Sequence, residues 1–165
     1  MSKVITFSRY FPKSHPRAGG QTFFVEKLWT SFVQLGYKIP YKKRFSLEFL
    51  SSLCNDRFKA KPHTIRAGNR FKAGEYFSPR VWSGNPYCSK QITICEDVLI
   101  KKVYEIEILK THEILINGVW FASFGSKNCE EIANNDGLNM KDFTNWFNKI
   151  PFKGQVICWG EVSYE

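Results

Sequence analysis

Residues 71–120 set apolar against polar side chains at a period of two, interrupted by turn residues, and a chain with that pattern has to build a sheet. A strand is predicted at 75–82, followed by a turn at Gly84-Asn85-Pro86. Residues 91–95 alternate cleanly. The stretch 98–109 alternates for so long that a bend or bulge is expected within it. In Ile114-Leu115-Ile116-Asn117-Gly118-Val119-Trp120 the Asn-Gly pair tolerates the positive φ values of a type I′ turn, so this segment is a hairpin.

The flanking segments add a few helices. Residues 3–7 read as a first strand, with no long apolar region of the kind a signal peptide carries. After a basic loop rich in Pro and Gly (12–20), Thr22 is the expected N-cap of a helix. Phe24, Val25, Leu28, Trp29, Phe32 and Leu35 make its apolar face, and Gly36 closes it. A second helix is expected at 46–54, after the basic run Lys42-Lys43-Arg44. Residues 59–66 lead into a strand, with Pro62 ahead of the ladder because it lacks a backbone donor. Later, Asn128 with Glu131 starts a short helix that ends at Asp136-Gly137. Asn139 with Asp142 starts another, with Phe143, Trp146, Phe147 and Ile150 as its buried stripe. Residues 154–159 form a closing strand. The order predicts an α+β fold whose short strands curl into a small barrel. At 165 residues it reads as one domain, 1–165.

No apolar run reaches the length of a membrane span, so no membrane partner is expected. The five cysteines, Cys54, Cys88, Cys95, Cys129 and Cys158, contain no CxxC pair. They are expected to be free thiols in a reducing, cytoplasmic setting. His15, His63 and His112 are scattered, so no metal or other cofactor is expected. The net charge of +9 attracts polyanions at long range, and nucleic acid is the commonest of these in a cell. The same excess also serves simply as a solubilising surface.

One segment carries candidate chemistry. In Lys61-x-x-Thr64-Ile65-Arg66 an extended backbone points Thr64 and Arg66 to one face, and the flexible stem of Lys61 reaches toward the hydroxyl. A threonine becomes a nucleophile when a neighbouring base takes its proton, and a lysine can be that base once burial or a nearby cation lowers its pKa. Arg66 is such a cation, and its fork suits a carbonyl or phosphate oxygen. The same residues would also suit an ordinary edge strand in so basic a chain.

Lys61-Pro62-His63-Thr64-Ile65-Arg66 followed by Phe71-Lys72-Ala73-Gly74-Glu75 resembles the ASCH domain family, a branch of the PUA-like barrels, with Glu75 where the family has Asp. Residues 133–138 (Ala-Asn-Asn-Asp-Gly-Leu) resemble its short helical insertion. The likeness spans about residues 58–160, and residues 1–57 then form an N-terminal strand–helix extension packed on the barrel. It implies a cleft that binds RNA or a nucleoside or nucleotide. Small bacterial members are amidohydrolases acting on N(4)-acetylcytidine through a lysine, a threonine and a glutamate. By motif these fall on Lys61, Thr64 and Asp136, the last one methylene shorter than Glu. The resemblance thus implies that Lys61 accepts the Thr64 proton, Thr64 attacks the acetyl carbonyl, Arg66 or a backbone N–H steadies the oxyanion, and Asp136 places Lys61 or the water.

Around the same cleft, Trp82 and Tyr87 are candidates to stack on a base, with Arg80 and Lys90 on phosphate. Packing of those aromatics on the barrel rim is the competing reading. The basic, aromatic segment 8–17 adds possible phosphate contacts. Three functions follow in order: an RNA- or nucleoside-binding domain, an amidohydrolase on an acylated cytidine, and a non-catalytic interaction module.

Overall fold

The computed structural model describes residues 2–39 and 58–165. The helix expected at 46–54, the basic run at 42–44 and Cys54 lie outside those residues. Among the described residues there are nine strands and three helices in an α+β arrangement. The strands are β1 (Lys3–Phe7), β2 (His63–Ala67), β3 (Tyr76–Trp82), β4 (Gln91–Thr93), β5 (Val98–Leu99), β6 (Lys102–Ile108), β7 (Glu113–Ile116), β8 (Val119–Ser123) and β9 (Phe152–Cys158). The helices are α1 (Phe24–Gln34), α2 (Lys127–Asn135) and α3 (Met140–Trp146).

Two sheets form, and their pairings do not run into a closed ring. In the first, β3 pairs with β1 in parallel and with both β4 and β5 antiparallel. In the second, the order β2-β9-β6-β7-β8 is antiparallel throughout. The expected N-terminal extension is therefore part of the sheet itself, since β1 is hydrogen-bonded along β3. The long alternating stretch at 98–109 breaks where the chain changes sheets. Ile100 N–H donates to Glu75 O at 2.9 Å in the first sheet, and the next residue, Lys101, donates to Cys158 O at 2.8 Å in the second. Alternation survives such a corner because each half still buries every other side chain.

The core sits between α1 and the sheets. Trp159, fully buried, meets Phe7, Phe32 and Phe77 with ring centroids 6.2, 5.9 and 5.3 Å away, so one indole joins β1, α1 and β3. Its Nε1–H donates to Ser31 Oγ at 3.2 Å, which removes the cost of burying that donor.

Local signals held where they were self-contained. Asn117 and Gly118 take φ values of 49° and 79° in the β7–β8 hairpin, and Asn139 Oδ1 accepts the Asp142 N–H at 2.7 Å to cap α3. Two caps differ from expectation. The N-cap of α1 is Phe23, in the left-handed region, although the Thr22 hydroxyl still accepts the Phe24 N–H at 3.2 Å. The N-cap of α2 is Ser126, whose hydroxyl accepts the Cys129 N–H at 3.3 Å, because Asn128 instead donates to Phe121 O at 3.0 Å.

Candidate functional site

The site grows from two chain segments that end rather than continue regular structure. Pro62, lacking an N–H, sits just before β2, and its carbonyl accepts from Trp159 N at 3.0 Å and Gly160 N at 3.1 Å. That anchors the lysine before it: Lys61 N–H donates to Lys27 O of α1 at 3.1 Å. The second segment is the end of α2. Asp136 is its C-cap, and Gly137 follows at φ 83°, the left-handed turn that glycine accepts without strain.

The Lys61 side chain runs to that helix end. Its Nζ donates to Asp136 Oδ1 at 2.8 Å and also to the Asp136 backbone carbonyl, and lies 4.6 Å from the centre of the Phe24 ring. Lys27 Nζ donates to the next carbonyl, that of Gly137, at 2.6 Å. Two ammonium groups thus satisfy the open carbonyls where the helix dipole is negative. The same dipole disfavours the Asp136 carboxylate, so the carboxylate depends on Lys61. Both partners are buried, with 1% and 5% of their surface exposed. Burial brings the Lys61 amine down to about 8, against the opposing pull of Asp136, while Arg66 and Lys27 push the same way as burial. For Asp136, burial alone would raise the pKa; the charge of Lys61 and the contact with His63 outweigh it and hold the carboxyl below its usual range.

His63 extends the network inward. Asn135 Nδ2 donates to the Tyr164 hydroxyl at 2.9 Å, and Tyr164 lies 2.6 Å from His63 Nε2. The Tyr164 hydroxyl thus bridges Asn135 and His63, and the other ring nitrogen, Nδ1, faces Asp136 Oδ1 at 3.7 Å, an electrostatic contact longer than a hydrogen bond. Burial lowers the His63 pKa and raises that of Tyr164, so both stay neutral near pH 7.

Thr64 and Arg66 point to the other face of β2 from His63, by the strand's alternation. The Thr64 side chain is buried, and its hydroxyl makes no hydrogen bond to a described residue, including Lys61 and Asp136. Arg66 Nη2 donates to Thr6 O at 2.6 Å, with the guanidinium 5.2 Å from the Phe7 ring centre, and its buried Nε has no partner among the described residues. Burial lowers the Arg66 pKa, against the fields of Asp136 and Tyr87.

The chain matches no protein-family model, no curated protein and no solved structure. The site is therefore read from its own geometry.

Lys61 and Asp136, 75 residues apart, are in direct contact, with Arg66 in the field of Asp136. The hairpin after β3 lies toward Arg66. Thr6, which accepts from Arg66, pairs with Arg80 across β1–β3, and Tyr87 is felt at Arg66. Arg80 is tied down within its own sheet, with Nε on Ser78 Oγ at 3.1 Å and Nη1 on Gln91 Oε1 at 3.2 Å. Trp82 and Tyr87 are 5.2 Å apart and tilted by 49°, so they pack on each other, with Tyr87 88% exposed. The backbone carbonyl of Lys90 accepts the Ser83 N–H at 2.8 Å to close that hairpin, and its side chain is exposed. Glu75 accepts the Lys72 N–H at 3.0 Å and pairs with Lys3 at 2.8 Å, which is a turn-holding role. Sequence reasoning missed His63, Tyr164, Asn135 and Lys27. Only His63 left a signal: a histidine two residues after Lys61, at the start of a buried strand.

Proposed function

We propose that this chain is an ASCH-type domain, its two sheets curled in the manner of a PUA-like barrel, that binds RNA or a nucleoside through Lys61, Thr64, Arg66 and Asp136. The observation that carries the reading is the buried Lys61–Asp136 pair. It joins the K-x-x-T-I-R segment to the Asp-Gly helix end, two of the three motifs on which the family resemblance rests. The pair's burial also argues for a purpose beyond stability, since a buried ion pair is often no better than apolar residues of the same volume. The four described cysteines are all free thiols, in keeping with a reducing, cytoplasmic setting. Among the described residues no helix is long and apolar enough to cross a membrane.

Filter binding of single-stranded RNA across a salt series tests the polymer version. Retention at low salt that falls linearly on a log–log plot supports it, because each phosphate contact releases counterions. Absence of retention even at low salt overturns it.

A second reading, an amidohydrolase, is favoured by one specific observation: Lys61 is held at about 8 and so lies close to its neutral, proton-accepting form. In that reading the Thr64 Oγ–H proton passes to Lys61, Oγ bonds to the acetyl carbon, and the cytosine amine leaves with a proton. Water then cleaves the acyl-threonine to release acetate. Turnover of N(4)-acetylcytidine should rise with pH toward and past about 8 as Lys61 loses its proton. It should vanish in Thr64→Val and Lys61→Met. Failure of concentrated protein to consume the compound overturns this reading and leaves the binding one standing.

A further inference from the structure

Phe23 breaks three local preferences at once. Its backbone sits at φ 58° and ψ 23°, a region that a bulky side chain rarely adopts. It occupies the N-cap of α1, where Ser, Thr, Asp or Asn would offer an oxygen, and it makes no capping bond. Its ring is also 38% exposed, so core packing does not repay the strain. The neighbouring Phe24, 5% exposed, does the packing, and Thr22 supplies the cap acceptor. Strain held against local preference gathers at ligand-binding positions.

The surroundings of Phe23 interleave rings with cations. The ring stacks on Phe58 at 5.2 Å and 29°. Tyr10, 51% exposed, lines a hollow with Phe23, Arg9 and Glu26, and the Arg9 guanidinium is 6.0 Å from its ring centre. A second hollow, of about 210 Å³, is lined by Phe23, Arg17, Lys27 and the Gly137–Asn139 turn. A neighbouring hollow of about 250 Å³ shares Lys27 and that turn and adds Phe58 and Lys59. The carboxylate in the second hollow, Asp142, is buried and paired with Arg17, and its charge is felt at Lys27, so it offsets part of the positive field there and leaves Arg9 and Lys59 as the less compensated cations.

We propose that Phe23 is a stacking platform for unpaired bases of a single-stranded nucleic acid, whose phosphates follow Arg9, Arg17, Lys27 and Lys59. Every base has a face that can stack, and the cations that line the neighbouring hollows match a backbone charged at each nucleotide. The proposal rests on the polymer reading given above and involves no reaction; Lys27, which donates to Gly137 O beside the Lys61–Asp136 pair, is shared with that site.

The test is fluorescence anisotropy of a short labelled oligouridylate at low salt, with the full chain and with Phe23→Gly, Phe23→Asn and Phe23→Trp. Glycine and asparagine tolerate the left-handed backbone, so at least one of them keeps the fold, as thermal melting checks. The expected result is binding weakened about five- to hundred-fold in both, and retained in Phe23→Trp. A matched abasic strand should bind the wild type as poorly as oligouridylate binds Phe23→Gly, and Lys59→Gln should lower the salt slope by about 1. If the wild type binds and Phe23→Gly binds equally, or if the abasic strand binds as tightly as oligouridylate, the platform is overturned and the polymer reading survives. If the wild type binds no oligonucleotide at low salt, both fall.

Discussion

Replacing Asp136 by Asn removes one charge from the buried pair and keeps its shape. Breaking half of a buried ion pair usually costs about 3 to 5 kcal/mol, because the other charge is left without a partner. Here the stranded partner has a way out. Lys61 is already brought down to about 8, so at pH 7 it is only on the order of 1 kcal/mol from giving up its proton. Losing the carboxylate lowers it further and it becomes neutral, which caps the cation's share of the penalty near that value. The amide still forfeits the charge-assisted bond and the contact with His63, worth about 1 kcal/mol more. Asp136→Asn should therefore cost about 2 kcal/mol at pH 7. At pH 9 the wild-type lysine is itself mostly neutral, and the cost should shrink to about half that. The sign follows from linkage: the native lysine has released its proton while the unfolded one, with a pKa of about 10.4, still holds it. Wild-type stability therefore gains from this group as pH climbs from about 8 to about 10.4. Urea unfolding at pH 7 and pH 9, followed by the fluorescence of the buried Trp29 and Trp159, measures both numbers. A penalty of 3 to 5 kcal/mol that stays constant or grows with pH would refute the reasoning.

Gly154→Ala should be far more damaging than an ordinary surface change. A Cβ there would collide with Arg66 O, inside the β2–β9 ladder, so β2, which carries Arg66, must part from β9. A loss of about 4 kcal/mol or more is expected, read as failure of soluble protein to show a cooperative melt. The thiols should divide sharply. Cys95 and Cys158 are pushed up to about 12 by burial, and burial raises Cys129 as well, while Cys88 is exposed. In a Cys54→Ser background, a thiol reagent should titrate Cys88 alone in native protein and the other three only after unfolding; native modification of Cys158 would contradict the burial.

The surviving expectations share a short range. The Asn117-Gly118 hairpin, the Asn139 cap, the left-handed glycine at 137 and the placement of Pro62 before β2 depend on backbone and side chains a few residues apart. Each could be read from a handful of letters. The α2 start was misread by two residues because Ser126 and Asn128 are both chemically able to cap, and only the position of Phe121 O draws Asn128 away. Lys61 and Asp136 were brought to one site by a family likeness, and nothing in their own spacing says that an ammonium and a helix end would touch. The same likeness set Thr64 beside them, whereas its hydroxyl bonds to neither.

What the sequence determined alone was the period of each segment, the places where the backbone must turn, and an excess of positive charge; these follow from sterics and composition, which act residue by residue. The tertiary structure decided which strand lies beside which, including the parallel β1–β3 pair, and where the chain leaves one sheet for the other at Ile100-Lys101. It also decided the state of the buried groups. The lowered pKa values of Lys61 and His63 are properties of a site assembled from distant segments. Desolvation and field depend on distance in space, so no reading along the chain could supply them.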